Sequence, residues 1–109
     1  MPRDETEAAY FTLLRAREDL AALQRYEEYL ADEVRRLRRF ISEGDALADP
    51  VDPRLRRGVR HTEQPLLDAL KRRIAVIADE QARLPQRIED AAAFVGECEE
   101  QHQRLRQRG

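Results

Sequence analysis

Apolar residues recur along most of this chain at alternating spacings of three and four. Counting from Leu13, the series runs Leu13, Ala16, Leu20, Leu23, Glu27, Leu30, Val34, Leu37 and Ile41, and eight of these nine are apolar. Counting from Leu67, it runs Leu67, Leu70, Ile74, Ile77, Gln81, Leu84, Ile88, Ala91, Val95, Cys98, His102 and Leu105. Ten of those twelve are apolar when Cys98 is taken as a small hydrophobe. A 3.5-residue repeat kept over several heptads marks helices that bury a narrow seam against one another. The expected fold class is therefore all-α: an antiparallel two-helix coiled-coil hairpin with a long connecting loop.

The ends of the elements follow from local signals. The first helix is expected over about 4–42, because Asp4, Glu5 and Glu7 suit a helix N-terminus and Gly44 reads as a stop. The second is expected over about 63–106. Thr62 reads as its N-cap, Pro65 falls in its first turn, and Arg104, Arg106 and Arg108 complement its C-terminal dipole. Pro85 removes the backbone bond to Gln81 and normally costs about 3 kcal/mol inside a helix. The heptad phase is the same on both sides of it, so a continuous helix kinked near Pro85 is expected, with Gly96 as a second weak point. Residues 43–62 then form the link, with a short helical turn over 53–57 begun by Asp52-Pro53 and closed by Gly58. The whole of 1–109 reads as one helical-hairpin domain.

One antiparallel register sets Leu37 near Ile74, Leu20 near Ala91 and Ala16 near Val95, so that large residues face small ones. In that register Glu27 and Gln81 fall one layer apart. They read as a polar layer that fixes the register, since a buried carboxylate is costly unless it is hydrogen-bonded.

The stripe does not account for all the apolar surface. Tyr10, Phe11, Leu14, Tyr26, Tyr29, Phe40, Leu66, Val76 and Phe94 lie off it. This much apolar surface on two helices implies a second packing face. The expectation is a homodimer forming a four-helix bundle; the alternative is a docking face for a different protein. With 39% charged residues and 6% aromatics, the chain has little material for a thick core of its own, which points the same way.

Charge adds a polarity. The net charge is −2, but residues 35–73 hold 11 cations and 6 acids, a net of +5. Arg35, Arg36, Arg39, Arg54, Arg56, Arg57 and Arg60 therefore stand as candidates for binding an anionic partner at the loop end. A guanidinium takes two oxygens of a phosphate or carboxylate at once. No aromatic residue interleaves Arg54–Arg60, and the sequence pI is about 5.8. Both features argue against a base-stacking nucleic-acid groove.

Candidate chemistry is sparse. Ser42 is the sole serine, and the four glycines form no phosphate-binding loop. Cys98 and His102 are four apart and Glu99 precedes His102 by three, a spacing seen in zinc and di-iron sites. Only Glu5 and Glu7, at the first helix terminus, stand ready to complete such a site, so ordinary packing at the end of the seam is expected, with no metal and no cofactor. With one cysteine no intrachain disulfide forms, which fits a reducing compartment. The N-terminal residues carry no apolar leader segment and no apolar run reaches membrane-spanning length, so a cytoplasmic location is expected.

Gly44-Asp45 with Asp49 is similar to the acidic hairpin tip of coiled-coil transcription factors that enter the polymerase secondary channel. That resemblance covers only these tip residues. It implies tip insertion into a channel, and the adjacent basic run departs from the pattern. The functional expectation is a non-enzymatic protein–protein interaction or regulatory module. Nucleic-acid or nucleotide binding through the arginine-rich loop end is the alternative, and a metal-binding bundle a remoter one.

Overall fold

A computed structural model describes residues 2–48 and 52–108. It contains two helices, α1 (Pro2–Ala48) and α2 (Pro53–Arg108), and no strand among the described residues. α1 ends at Ala48 and α2 begins at Pro53, so the expected twenty-residue link is corrected to a short one.

The stop signals near the link fail for a common reason. A glycine ends a helix by taking positive φ, and no described glycine does so. Gly44 lies inside α1 and Gly58 inside α2. The one signal that operates is Asp52, whose Oδ1 accepts the backbone N–H of Arg54 at 2.9 Å. With Pro53 behind it at the first helical position, Asp52 caps the whole of α2 and not a single turn. Thr62 is consequently an interior residue. Its hydroxyl donates to the Gly58 carbonyl at 3.0 Å instead of capping a helix start. Pro65 likewise sits three turns into α2, and α2 runs through both Pro65 and Pro85 without interruption.

Packing divides the chain into two compact units, each of which pairs a segment of α1 with a segment of α2. The terminal unit comprises Met1–Glu27 with Arg83–Gly109. Within it Leu13, Ala16, Val95 and Cys98 form a buried cluster, with Leu20 packed against it. Tyr10 meets His102 and Arg17 meets Glu99, so numbers fall on α2 as they rise on α1 and the pair is antiparallel. Ala16 and Val95 share the cluster.

The loop-end unit comprises Glu28–Ala82. Leu30, Val34 and Ile77 are its buried side chains, and Leu37, Ile41, Leu67, Leu70 and Ile74 are half-buried. Every apolar position of the two heptad series is thus withdrawn from solvent in one unit or the other. Glu27 is exposed, so it bears no burial cost and forms no buried polar layer. Gln81 is half-buried.

Candidate functional site

Each unit carries one surface with functional potential. In the terminal unit, the heptad phase that buries Leu13 and Ala16 turns their neighbours outward. Phe11 is 64% exposed and Phe94 50%, and Tyr10 and Leu14 are exposed as well. Tyr10 links three of the rings: its centroid lies 5.9 Å from Phe11 and 5.5 Å from His102, both in tilted geometry. Such pairs hold aromatic rings in place beyond the effect of burial alone.

Phe94, but not Tyr10, Phe11 or Leu14, also lines an open groove of about 760 Å³. Its α1 wall is made of the small side chains Ala8, Ala9 and Thr12, with Glu5 at the rim. Its α2 wall carries Phe94, Cys98 and Leu105, with Glu97, Glu100, Gln101, Arg104 and Arg108 along the edge. The sequence pattern does not reveal this groove. Its signal is the clustering of small residues at positions 8, 9 and 12, which matters only once α2 lies alongside.

The residues considered for a metal serve other ends. Cys98 is buried in the seam, His102 is half-buried against Tyr10, and Glu99 accepts from Arg17 Nη2 at 3.3 Å. Among the described residues no three His, Cys, Asp or Glu side chains gather into a metal-binding group. No helix among them is long and apolar enough to cross a membrane.

The loop-end unit holds the arginines, and the structure divides them. Arg35, Arg36 and Arg39 line a hollow of about 480 Å³ on α1 together with Asp32. Arg54 lines a separate one of about 450 Å³ on α2, with Leu55, Gly58, Thr62 and Glu63. Arg57 and Arg60 are exposed. The side chain of Arg56 lies outside the described residues, as do those of the acidic tip residues Asp45 and Asp49.

Part of this positive charge is already neutralised. Arg35 pairs with Asp32, and Arg39 Nε lies 3.4 Å from Glu43 Oε1. Arg73 reaches across to Glu33 with two bonds, Nε to Oε1 at 3.0 Å and Nη2 to Oε2 at 3.3 Å. The bidentate clasp from Arg73 holds the Glu33 carboxyl below its usual range, although partial burial opposes this. The Arg73 charge, the Tyr29 hydroxyl and the charge of Arg36 add to the lowering.

Charge at the link also runs against the helix dipoles. The last turn of α1 has no base and the first turn of α2 has no acid. Glu43 and Asp45 instead sit near the negative end of α1, and Arg54, Arg56 and Arg57 near the positive end of α2. Each such charge is unfavourable to its own helix by about 0.3–1 kcal/mol when exposed.

The remaining predicted docking residues are also solvent-facing. Tyr26 belongs to the terminal unit, while Tyr29 and Phe40 belong to the loop-end unit. Leu55 is more exposed than any of these three. Sequence reasoning missed it because residues 43–62 read as a loop. Comparison with protein families, curated proteins and solved structures finds no match for this chain.

Proposed function

We propose that this chain is a non-enzymatic helical-hairpin module that works by binding protein, in the first instance a second copy of itself in a four-helix bundle. One observation carries the reading: the outer surface of the terminal unit, where Tyr10, Phe11, Leu14 and Phe94 stand exposed on two helices. Four large apolar side chains exposed on so thin a unit favour burial against another chain, at about 25 cal/mol per Å² of apolar area removed from water. Sedimentation velocity across a concentration series tests it. A concentration-dependent dimer is expected, and Phe11→Ala with Phe94→Ala should shift it to monomer at unchanged helix content. A chain that stays monomeric throughout refutes the reading.

A second reading has its own support in the hollow that Arg35, Arg36 and Arg39 line with Asp32, in Arg54 at the hollow on α2, and in the exposed Arg57. These favour a nucleic acid or nucleotide as an anionic ligand of the loop end. Fluorescence anisotropy with labelled oligonucleotides should then show affinity falling steeply as salt rises. The triple variant Arg54→Ala, Arg56→Ala, Arg57→Ala should abolish binding. Binding that survives these changes, or that ignores salt, refutes this reading.

A further inference from the structure

We propose that the groove of the terminal unit is the self-association site, and that a second copy of α2 lies antiparallel in it about a two-fold axis near Gln101. The proposal rests on the reading that this chain associates with a second copy of itself, and of the exposed apolar side chains behind that reading it uses Phe94, which lines the groove. The observation behind it is the order of charges along one edge of the groove.

The edge is formed by Phe94, Glu97, Gln101, Arg104 and Arg108. Their spacings are three, four, three and four, so they make one continuous stripe along α2, next to the seam. Read from N to C, the acid precedes Gln101 and the bases follow it. Glu100 adds a second acid on the N-terminal side. The groove edge thus carries its acids before Gln101 and its bases after it.

This pattern is self-complementary in one orientation only. A two-fold axis makes residue i face j′ and j face i′. With the axis near Gln101, Glu97 comes beside Arg104 of the other copy, and the symmetry repeats that pair. Phe94 comes beside Arg108 of the other copy, which places a guanidinium within reach of an aromatic face. Glu97 and Arg104 are two helical turns apart, about 10 Å along the axis. The two ion pairs therefore flank the dyad on opposite sides. A parallel copy in the same register would set Glu97 on Glu97 and Arg104 on Arg104, and like charges would repel.

The opposite wall favours the same occupant. Ala8, Ala9 and Thr12 are short enough to let a helix approach closely, and Phe94 and Leu105 supply apolar surface for it to cover. A groove between two antiparallel helices, filled by a third and reciprocated by symmetry, completes a four-helix arrangement.

Charge reversal tests this directly, because Glu97 and Arg104 are both exposed and neither belongs to the seam. Glu97→Arg and Arg104→Glu are made singly and together in the full chain. Helix content is checked by circular dichroism, and dimer dissociation constants are measured by sedimentation at low ionic strength. Each single change turns two attractive contacts into repulsive ones, and should weaken the dimer about tenfold or more. An equimolar mixture of the two single variants should recover association, and so should the double variant. A dimer indifferent to the single changes overturns the proposed face and leaves self-association standing. Single changes that weaken the dimer without recovery in the mixture also overturn it. A wild-type chain that is monomeric at every concentration overturns both this proposal and the reading beneath it.

Discussion

Arg73 clasps Glu33 with two hydrogen bonds, joining α2 to α1 through a carboxylate that is only 17% exposed. Both residues belong to the loop-end unit. Because the folded Glu33 has a lower pKa than its ordinary value of 4.5, the clasp stabilises the fold above that pH. The contribution is lost as pH falls through the folded pKa. The thermal midpoint of the native chain should therefore drop more steeply below about pH 4.5 than that of Glu33→Gln. Melting curves followed by circular dichroism across the acid range check this. Parallel profiles for the two proteins would remove the clasp from the account.

Core substitutions should separate the seam from the outer face. Leu30 is 1% exposed and Leu84 0%. Either residue changed to Ala should cost about 2–5 kcal/mol, from lost burial and the cavity left behind. Leu66 is exposed, and Leu66→Ala should move stability by no more than about 0.5 kcal/mol. Urea denaturation of the three variants, compared with the native chain, is the measurement.

The start of α2 yields a pair of opposite signs. Asp52→Ala removes the acceptor for Arg54 N–H, and should cost about 0.5–2 kcal/mol. It should also speed amide exchange in the first turns of α2. Gly58→Ala should do the reverse and stabilise by about 0.5–1 kcal/mol. An added Cβ at Gly58 meets nothing within 4 Å, and the backbone there is helical. Were Gly58 a helix terminator, the same change would destabilise, so hydrogen exchange and chemical denaturation together decide the point.

These contrasts show what the sequence makes legible. The seam is readable because burial on a helix pair leaves a period, and that period survives Pro85 without a phase shift. Leu13 through Ile41 and Leu67 through Leu105 can be listed by counting. The helix ends near the link are not readable in the same way. Gly44 and Gly58 can end a helix or sit within one, and propensity alone is too weak to choose. What marks the start of α2 is the Asp52 cap, followed by Arg54, Leu55, Arg56 and Arg57, four good helix formers. Glu27 shows a third limit: occupying a seam position in the series does not bury a side chain.

The candidate surfaces divide along the same line. Tyr10, Phe11 and Phe94 are identifiable as outward-facing because they fall off the stripe. The pairing of Glu33 with Arg73 and the groove beside Ala8, Ala9 and Thr12 depend on which residues of α1 stand opposite which of α2. Neither helix alone contains that information. The arginine cluster was visible by counting, but its division between α1 and α2, and its partial neutralisation by Asp32 and Glu43, required the side chains in place.

The most direct test of the central claim is the mass of the intact chain in solution, measured by sedimentation over a wide concentration range. The account predicts a species of twice the 12.8 kDa monomer mass that dissociates on dilution, with Phe94→Ala shifting the balance towards monomer. A single 12.8 kDa species at every concentration, indifferent to Phe94→Ala, would contradict it.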